Sequence, residues 1–514
     1  CLSCRVYIMR GCISCDVWLF KSMLSILQHG LHYQLGKETV RPISNSHVAN
    51  PASGFDWLFE CAPSFYIDGN NVQVLEEPSE FYNTLKTNIC EAKKRITLAS
   101  LYLGTGSLEQ DLVSSIKDRL SHAKKINSDF KVSILLDHTR GSRGKSNSSR
   151  TMLLPLLQEF PEHVRFAFYH TPELRGFLRW IVPEKFNETI GVSHLKVYLM
   201  DDSFIISGAN LSNDYFTNRQ DRYIYVKNSQ NVADYFDDLV HTVSNFSLEL
   251  RDNNTTTMNK NNFPAHPYKN WDRGNIFKQT ANSVVKDFFQ KWTQKSRSNF
   301  NTPKGDTIIF PLLQMGPLGI TQDEEVTSRI FEDAPEGSIS HLATGYFNLT
   351  PSYLDCILKA KGRYNVLCAH PLANGFYKAG GIIGGIPDAF TQFAKEFYNK
   401  IHNCRQSERI ILQEYLRNQW TFHAKGLWYR PPLEDLPNFT LIGSPNFGHR
   451  SLTRDLENQI ALSTSNVGLR QQLRHECDHV YKYGIRVTGK TFELHERTVP
   501  MWAWIVSSLM RSFF

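Results

Sequence analysis

Residues 194–210 read HLKVYLMDDSFIISGAN, and residues 423–446 read HAKGLWYRPPLEDLPNFTLIGSPN. Both stretches begin with a His-x-Lys pair, continue through an apolar segment and a turn, and end in a second apolar segment that closes on Asn. An acidic residue lies eleven positions beyond each Asn, at Asp221 and at Glu457. Because two copies of so specific a pattern rarely arise by chance in one chain, we interpret them as the two halves of one active site.

Each copy predicts the same local structure. Period-two alternation indicates a strand at the start of the copy, which places the imidazole and the ammonium group on the same strand face. The return strand ends in small polar residues, where a side chain and bare backbone can face a ligand. Each copy therefore brings an imidazole, an ammonium and a carboxamide to one point. These groups belong to His194, Lys196 and Asn210 in the first copy and to His423, Lys425 and Asn446 in the second.

Such a cluster suits the chemistry of a phosphodiester. Lys and Asn can hold the non-bridging oxygens, one His can act as the nucleophile, and the other can serve as general acid and base. We expect Asp221 to hold the ring of His194 and Glu457 to hold the ring of His423, each acid fixing the tautomer within its own copy. Because these cations are built into the chain, no metal site and no cofactor are expected; dependence on a divalent ion is left open.

The first copy resembles the phospholipase D superfamily, because HLKVYLMD matches its H-x-K-x4-D motif completely. The resemblance places Asp201 in the catalytic motif, with a role in supporting the structure. Arg430 stands at the corresponding position of the second copy, which departs from the motif. The flanking stretches, including SNDYFTNRQDRY and LIGSPNFGHRSLTRDLENQIAL, resemble more narrowly the eukaryotic phosphatidylglycerophosphate synthases, and this similarity runs from about Phe55 to the C-terminus.

The resemblance implies a phosphatidyltransferase with CDP-diacylglycerol and sn-glycerol 3-phosphate as its substrates. The products would be CMP and phosphatidylglycerophosphate, formed through a phosphatidyl-histidine intermediate as the first dedicated step towards phosphatidylglycerol and cardiolipin. It also implies a mitochondrial protein that works on a membrane surface, on the matrix side of the inner membrane, and that does not bind nucleic acid. Either His194 or His423 can be the nucleophile, because the copies are nearly symmetric.

Three alternative functions are open at this point. A phospholipase D-type phosphodiesterase would pass the same intermediate to water. A tyrosyl-DNA phosphodiesterase would need a nucleic-acid groove, for which interleaved basic and aromatic residues are not prominent. An inactive scaffold is favoured only by the missing second Asp, and the intact His, Lys and Asn of both copies argue against it.

The order of predicted elements repeats around the two copies. Before the first copy, the pattern predicts a strand in RITLASLYLG, a helix in LEQDLVSSIKDRLSHAKK and a strand in FKVSILLDHT. Before the second copy, it predicts the same succession in SISHLATGYFNL, PSYLDCILKAK and YNVLCAHP. This order predicts parallel strands and an α/β fold of two similar lobes that pack as a pseudo-dimer, each lobe a mixed sheet flanked by helices. The predicted boundaries are an N-terminal segment at 1–54, a first lobe at 55–251, a polar linker with an amphipathic helix at 252–304, a second lobe at 305–496 and an apolar segment at 497–514.

The net charge and the apolar segments of the chain indicate how it can contact a membrane. The 514 residues include 57 Lys and Arg against 50 Asp and Glu, a net charge of +7 that is compatible with an anionic lipid surface or a phosphate substrate. No stretch is long and apolar enough to predict a transmembrane helix. Residues 174–183, 277–292 and 497–514 are candidates for contact with a bilayer surface, and packing in the core is the alternative for the first two.

Three further stretches are less informative. Residues 1–54 are basic and rich in Ser, which is compatible with a mitochondrial transit peptide. They hold two Cys-x2-Cys pairs whose separation is short for a zinc ribbon, and the six other cysteines are predicted to be reduced core residues. The basic run at 141–150 either receives the glycerol phosphate or the CDP group, or is a solvated loop. The Gly-rich run at 374–390 is either a mobile loop beside the site or a plain connection.

Overall fold

The computed structural model describes residues 51–500 and Arg511, with gaps at 53, 145, 260, 262, 270–273, 299–304 and 378–385. The predicted transit peptide, the two Cys-x2-Cys pairs and nearly all of the apolar C-terminal segment lie outside the described residues. The six described cysteines are all free thiols. No helix in the described ranges is long and apolar enough to cross a membrane.

Two mixed sheets of nine strands each form the framework. Apart from one edge strand in each sheet, Thr256–Met258 in the first and Phe65–Ile67 in the second, the strands follow the same order. In this shared order, the neighbouring strands of the first sheet are Leu248–Leu250, Val164–Tyr169, Lys131–Asp137, Arg95–Ala99, Val197–Met200, Ser203–Ser207, Tyr223–Val226 and Val72–Leu75. The second runs Gly484–Arg486, Ile410–Tyr415, Arg363–Ala369, Ile339–Thr344, Gly426–Arg430, Phe439–Gly443, Leu456–Thr464 and Thr307–Met315.

Strand directions also agree between the sheets. Arg95–Ala99 pairs in parallel with Lys131–Asp137, and Ile339–Thr344 pairs in parallel with Arg363–Ala369. The main helices are Pro78–Glu91, Ser107–Lys125, Ser149–Glu159, Gln230–Asn245, Gly274–Ser298, Gln322–Glu332, Pro351–Lys359, Ile386–Asn403 and Val467–Tyr481. The predicted α/β fold of two similar lobes is therefore confirmed.

The described chain begins in the second lobe rather than the first. Phe65–Ile67 pairs antiparallel with Thr307, Ile308 and Ile309 of the second sheet. Phe55 and Leu58 are buried in the apolar cluster on the outer side of that sheet. The chain then crosses to the first sheet, so sequence order and lobe membership differ at this point. The boundaries of the lobes stay a prediction.

A central apolar core joins the two lobes, because it draws buried residues from both sheets. The long helix Gly274–Ser298 belongs to this core: Phe277, Ala281, Phe288 and Trp292 are all buried. Its apolar stripe therefore packs inside the protein, as the core alternative predicted. The other interpretation of this stripe, a helix resting on a membrane surface, is wrong, because four of its five predicted side chains are buried and the fifth, Val284, is partly buried against the same core.

A buried ion pair ties the lobes together beside the core. Arg222 of the first lobe donates from Nε and Nη2 to the two carboxylate oxygens of Glu476 in the second, at 2.9 Å each, and both side chains are almost fully buried. Trp428 Nε1 donates to the same carboxylate at 2.6 Å, and the guanidinium lies 3.7 Å from the Trp428 ring centroid. Gly426 has φ of 122°, and a Cβ there would come within 2.4 Å of Arg222 Nη1, so glycine leaves room for the pair.

Substitution of Glu476 by Gln tests this contact between the lobes. The substitution leaves the Arg222 charge buried without a counter-ion, which should lower the free energy of unfolding by about 3–5 kcal/mol. The control is Asp478→Asn on the same helix, because Asp478 forms an exposed pair with Arg474 that should contribute only about 0–1 kcal/mol. Urea denaturation of both variants makes the comparison. Equal losses in the two variants would contradict a structural role for the buried pair.

Candidate active site

The two His-x-Lys segments meet where the lobes join, and each is held by backbone of the opposite lobe. Thr421–Phe422 pairs in parallel with Arg219–Gln220, and the His423 amide donates to the Gln220 carbonyl at 2.8 Å. On the other side, Ser193 bridges Leu456 in parallel, and the His194 amide donates to the Leu456 carbonyl at 2.8 Å. Each His is therefore bonded to the residue that directly precedes the acid of the other copy.

The acids consequently hold the imidazoles across the lobes. His194 Nδ1 lies 2.7 Å from Glu457 Oε2, and His423 Nδ1 lies 2.6 Å from Asp221 Oδ2. The expected pairing within each copy is wrong. The parallel contacts between the lobes bring each acid to the partner copy's His, whereas strand spacing within one copy gave no information about this exchange. The chemical function expected of the acids, to fix a ring by its Nδ1, is compatible with the observed geometry.

The two lysines lie beside the imidazoles but in different contacts. Lys196 Nζ donates to the His194 carbonyl at 2.9 Å. Lys425 Nζ donates to the His423 carbonyl at 2.7 Å and also lies 2.8 Å from Nδ1 of the His423 ring. Both lysines are buried, so their ammonium groups add positive charge to a site that water reaches poorly.

The two asparagines also differ in their contacts. Asn210 Nδ2 donates to the Tyr215 hydroxyl at 3.0 Å, and its buried Oδ1 has no hydrogen-bond partner among the described residues. Asn446 Oδ1 accepts weakly from the Tyr346 amide and the Thr344 hydroxyl, at 3.3 Å each. The carboxamide oxygen of Asn446 is thus occupied, and its NH2 group is the part that can serve a ligand.

Asp201 lies away from these groups. It occupies the turn at the far end of the strand that follows Lys196, with φ of 53°, and its carboxylate accepts from the backbone amides of Lys93, Lys94 and Arg95 at 2.7–3.1 Å. Its inclusion among the catalytic residues is therefore corrected to the structural role that the resemblance implied. The carboxylate is used to fix a turn, and Arg430 can replace it in the second copy without removing a group from the site.

Burial changes the protonation of the basic groups in the site. The pKa of His194 and the pKa of His423 are lowered well below the ordinary value by burial, and the neighbouring ammonium groups add to the effect. Burial also lowers the pKa of Lys196 to about 7 and that of Lys425 to about 8. The lysines are therefore poised to gain or lose a proton near neutral pH.

The acids shift in the opposite direction for the same reason. Burial raises the pKa of Glu457 to about 7 and the pKa of Asp221 to about 6. Each acid remains close to an imidazole and to an ammonium group, which favour the carboxylate form. An anionic ligand would favour the protonated lysines, so the site is electrostatically suited to bind phosphate.

Tyr215 is a residue of the site that the sequence did not reveal. Its hydroxyl lies 3.3 Å from Nε2 of His423, and its ring stands edge-on to the imidazole with 5.0 Å between centroids. Tyr215 comes five positions after Asn210, and Ser451 stands at the same distance after Asn446. A search for residues shared by the two copies does not find this position, because the copies differ there. The non-equivalent pair makes the surroundings of the two imidazoles different.

The described parts of the basic run at 141–150 and of the Gly-rich run at 374–390 lie near the site. In the basic run, Arg143 Nη1 is 3.4 Å from a carboxylate oxygen of Glu188, and the preceding Arg140 stacks 4.2 Å from the Tyr102 ring centroid. In the Gly-rich run, the Phe376 ring lies 5.5 Å from the ring of Tyr346, which in turn lies 5.6 Å from that of His423. The functional interpretation of either stretch stays a prediction.

The structure is a two-lobed α/β protein with a duplicated His-x-Lys site where the lobes join, and the first copy carries the H-x-K-x4-D motif by which the sequence resembles the phospholipase D superfamily. The solved structure of a phosphatidylserine synthase from Haemophilus influenzae Rd KW20 aligns with 91% of this chain and 100% of its own, with a TM-score of 0.65 at 17% identity, and supports the fold. No family model matches the chain.

Curated relatives identify the family within that superfamily. The mitochondrial CDP-diacylglycerol–glycerol-3-phosphate 3-phosphatidyltransferases of Cricetulus griseus and Homo sapiens are each 45% identical, covering 90% of this chain and 86% of their own. The corresponding enzyme of Saccharomyces pastorianus is 34% identical over 87% of this chain and 88% of its own. The chain belongs to the family of CDP-diacylglycerol–glycerol-3-phosphate 3-phosphatidyltransferases, and the family resemblance of the sequence is confirmed.

Exchange of the acids between the lobes can be tested with Asp221→Asn. The substitution keeps the size of the side chain but removes the charge that orients His423, so kcat should fall by about 10²–10⁴-fold while the fold is retained. In nitrogen NMR spectra of labelled imidazoles, the His423 signals should shift and the His194 signals should stay in place. The matched variant Glu457→Gln should give the reverse pattern. A shift of the His194 signals in Asp221→Asn would contradict the exchange and support pairing of each acid with the His of its own copy.

Proposed function

We propose that this protein transfers the phosphatidyl group of CDP-diacylglycerol to sn-glycerol 3-phosphate, releasing CMP and forming phosphatidylglycerophosphate. The observation that carries the proposal is the convergence of two imidazoles, each bonded to an acid of the opposite lobe, with two buried lysines. Membership of the family supports the choice of substrates. The relatives' names support a mitochondrial location, which we extend to the matrix side of the inner membrane.

In the first step, His194 Nε2 attacks the phosphorus of the phosphatidyl group, and the bond to the CMP oxygen breaks. We assign the attack to His194 because its side chain is 12% exposed against 4% for His423, whose Nε2 is already near the Tyr215 hydroxyl. His423 donates the proton that CMP needs, because the anionic phosphate bound beside it favours the protonated imidazole that burial alone disfavours. The products of this step are CMP and an enzyme with the phosphatidyl group on His194.

In the second step, His423 removes the proton from the primary hydroxyl of sn-glycerol 3-phosphate. The resulting oxygen attacks the phosphatidyl phosphorus, and the bond to His194 Nε2 breaks. His194 returns to its neutral form, and His423 carries the proton that it gives up in the next first step. Glu457 and Asp221 keep the two rings oriented through Nδ1 in both steps, so each Nε2 faces the phosphorus.

The remaining groups stabilise the phosphate as charge develops on it. Lys196 and Lys425 supply positive charge in a buried setting, where an ion pair is stronger than in water. The NH2 groups of Asn210 and Asn446 can donate to the non-bridging oxygens. For Asn210 this requires release of the Tyr215 hydroxyl or reorientation of the carboxamide. Phosphate binding is thereby coupled to the hydrogen bonding around His423.

The decisive experiment follows products and the covalent intermediate together. Purified protein with CDP-diacylglycerol should release CMP, and phosphatidylglycerophosphate should form only when sn-glycerol 3-phosphate is present. His194→Ala and His423→Ala should each lower turnover by at least about 10³-fold. With lipid labelled at the phosphatidyl phosphorus, label should accumulate slowly and stay covalently on His423→Ala, because this variant lacks the base that activates the acceptor hydroxyl. His194→Ala should take up no label, because it lacks the nucleophile.

Other results would contradict the proposal in distinct ways. Phosphatidate formed equally well without the acceptor would make the protein a hydrolase. Label retained on His194→Ala instead would assign the nucleophile to His423. Absence of CMP release under every condition would exclude the proposed substrate. Near wild-type turnover of either His variant would contradict the shared site.

The shifted pKa values predict a bell-shaped pH dependence of kcat/KM. The lysines lose their charge as the pH rises through their lowered pKa values, about 7 for Lys196 and about 8 for Lys425, so kcat/KM should fall on the alkaline side. Asp221 and Glu457 lose theirs as the pH falls through raised values of about 6 and about 7, which gives the acid limb. Initial rates at low substrate test this profile. A rate that keeps rising to about pH 9 would contradict a role for the lysine charges.

A further inference from the structure

A short helix, Gly176–Ile181, exposes an apolar surface beside the site. Phe177 is 62% exposed, Leu178 46%, Trp180 85% and Ile181 47%. The neighbouring Leu174 is buried, so the chain enters the protein and then turns its next apolar residues outward. The core alternative for this stretch is therefore wrong for these four side chains. Clustered large apolar side chains on a protein surface indicate a surface that binds something.

The base of this exposed helix is anchored to the protein. The guanidinium of Arg179 lies 3.8 Å from the ring centroid of Tyr268. Glu173, just before the helix, forms an ion pair with Lys278 of the long helix Gly274–Ser298. The apolar side chains thus project from a fixed platform, with one cationic side chain among them.

The exposed helix also lies at the edge of a cavity in the first lobe. The cavity has a volume of about 470 Å³, and Arg179 and Trp180 line it together with His138 and His170. Asp137, next to His138, accepts from the Ser193 amide at 3.1 Å, and Ser193 directly precedes the catalytic imidazole in the chain. The wall of the cavity is therefore connected, through Asp137, to the residue that precedes His194.

The segment that follows the exposed helix contacts residues of the other lobe on its way to His194. Arg450 Nη2 donates to the Glu188 carbonyl at 2.6 Å, and Arg450 Nε pairs with Asp455 at 2.9 Å. Asp455 in turn accepts from the Val192 amide at 2.9 Å, two residues before His194. Hydrogen bonds at Glu188 and Val192 thus hold the segment between the exposed helix and His194 to the other lobe.

We propose that Phe177, Leu178, Trp180 and Ile181 insert into the interface of a phospholipid bilayer, with Arg179 at the level of anionic headgroups. The helix is about 9 Å long, so it lies in the interface rather than crossing the bilayer. Aromatic and aliphatic side chains with an Arg among them are the composition that binds this region. The inference rests on the proposed function in one respect: the bilayer that the helix enters would hold the lipid substrate in the headgroup plane, near the lobe that carries His194.

Vesicle sedimentation with the full chain tests the docking surface. Phosphatidylcholine vesicles with and without phosphatidylglycerol serve as probes. The double variant Phe177→Ser, Trp180→Ser should bind both kinds about tenfold or more weakly, because its largest apolar side chains are lost. Arg179→Gln should weaken binding about fivefold only where phosphatidylglycerol is present. The control Ile126→Ser, which alters a residue that is 60% exposed at the end of another helix, should bind as the wild type does.

Activity separates failure of the docking surface from failure of the proposed function. The double variant should keep wild-type turnover on CDP-diacylglycerol dispersed in detergent and lose it on vesicles. If wild type forms no phosphatidylglycerophosphate in detergent but the double variant still loses vesicle binding, the docking surface stands and the proposed substrate fails. Unchanged vesicle binding by the double variant would overturn the inference. A change in oligomeric state of that variant without lipid would instead make the surface an interface between copies of this chain.

Discussion

The exchange of carboxylates between the lobes is the constraint on which the site depends. Glu457 orients His194 and Asp221 orients His423, so neither lobe contains a complete imidazole–acid pair. The arrangement follows from backbone pairing, since each His amide bonds to the residue before the opposite acid. A lobe alone would therefore lack the group that fixes its imidazole, and function requires that the lobes pack in register.

The rest of the interface between the lobes can be understood as support for that register. Arg222 is adjacent to Asp221 and pairs with Glu476 in the other lobe. Asn458, adjacent to Glu457, accepts from the Lys196 amide at 2.8 Å through its Oδ1. Each acid is thus followed directly by a residue that binds the opposite lobe. Such buried polar contacts are costly unless they are fully paired, and here they specify one relative position of the lobes.

Much of this site could be predicted from the sequence because its chemistry is duplicated. The two His-x-Lys pairs, the following Asn and the spaced acids each recur, and recurrence revealed the lobes and their parallel strands. The choice of acid partner could not be predicted, because it depends on contacts more than 200 residues apart in the chain. The same limit applies to Phe65–Ile67, whose strand partner lies beyond the whole first lobe. Period and spacing report local structure, whereas pairing between lobes is set by packing.

Differences between the copies give the two imidazoles different surroundings. The Tyr215 hydroxyl lies beside His423. Ser451 occupies the corresponding position after Asn446, has no aromatic ring, and accepts through its hydroxyl from the Asn446 amide. Both lysines donate to the carbonyl of the His two residues before them, but Lys425 Nζ also lies 2.8 Å from Nδ1 of the His423 ring. A nucleophile needs an unencumbered Nε2, while a group that exchanges protons benefits from hydrogen-bonding neighbours. The duplication supplies two imidazoles, and the residues that depart from it are the basis on which we propose His194 as the nucleophile and His423 as the proton carrier.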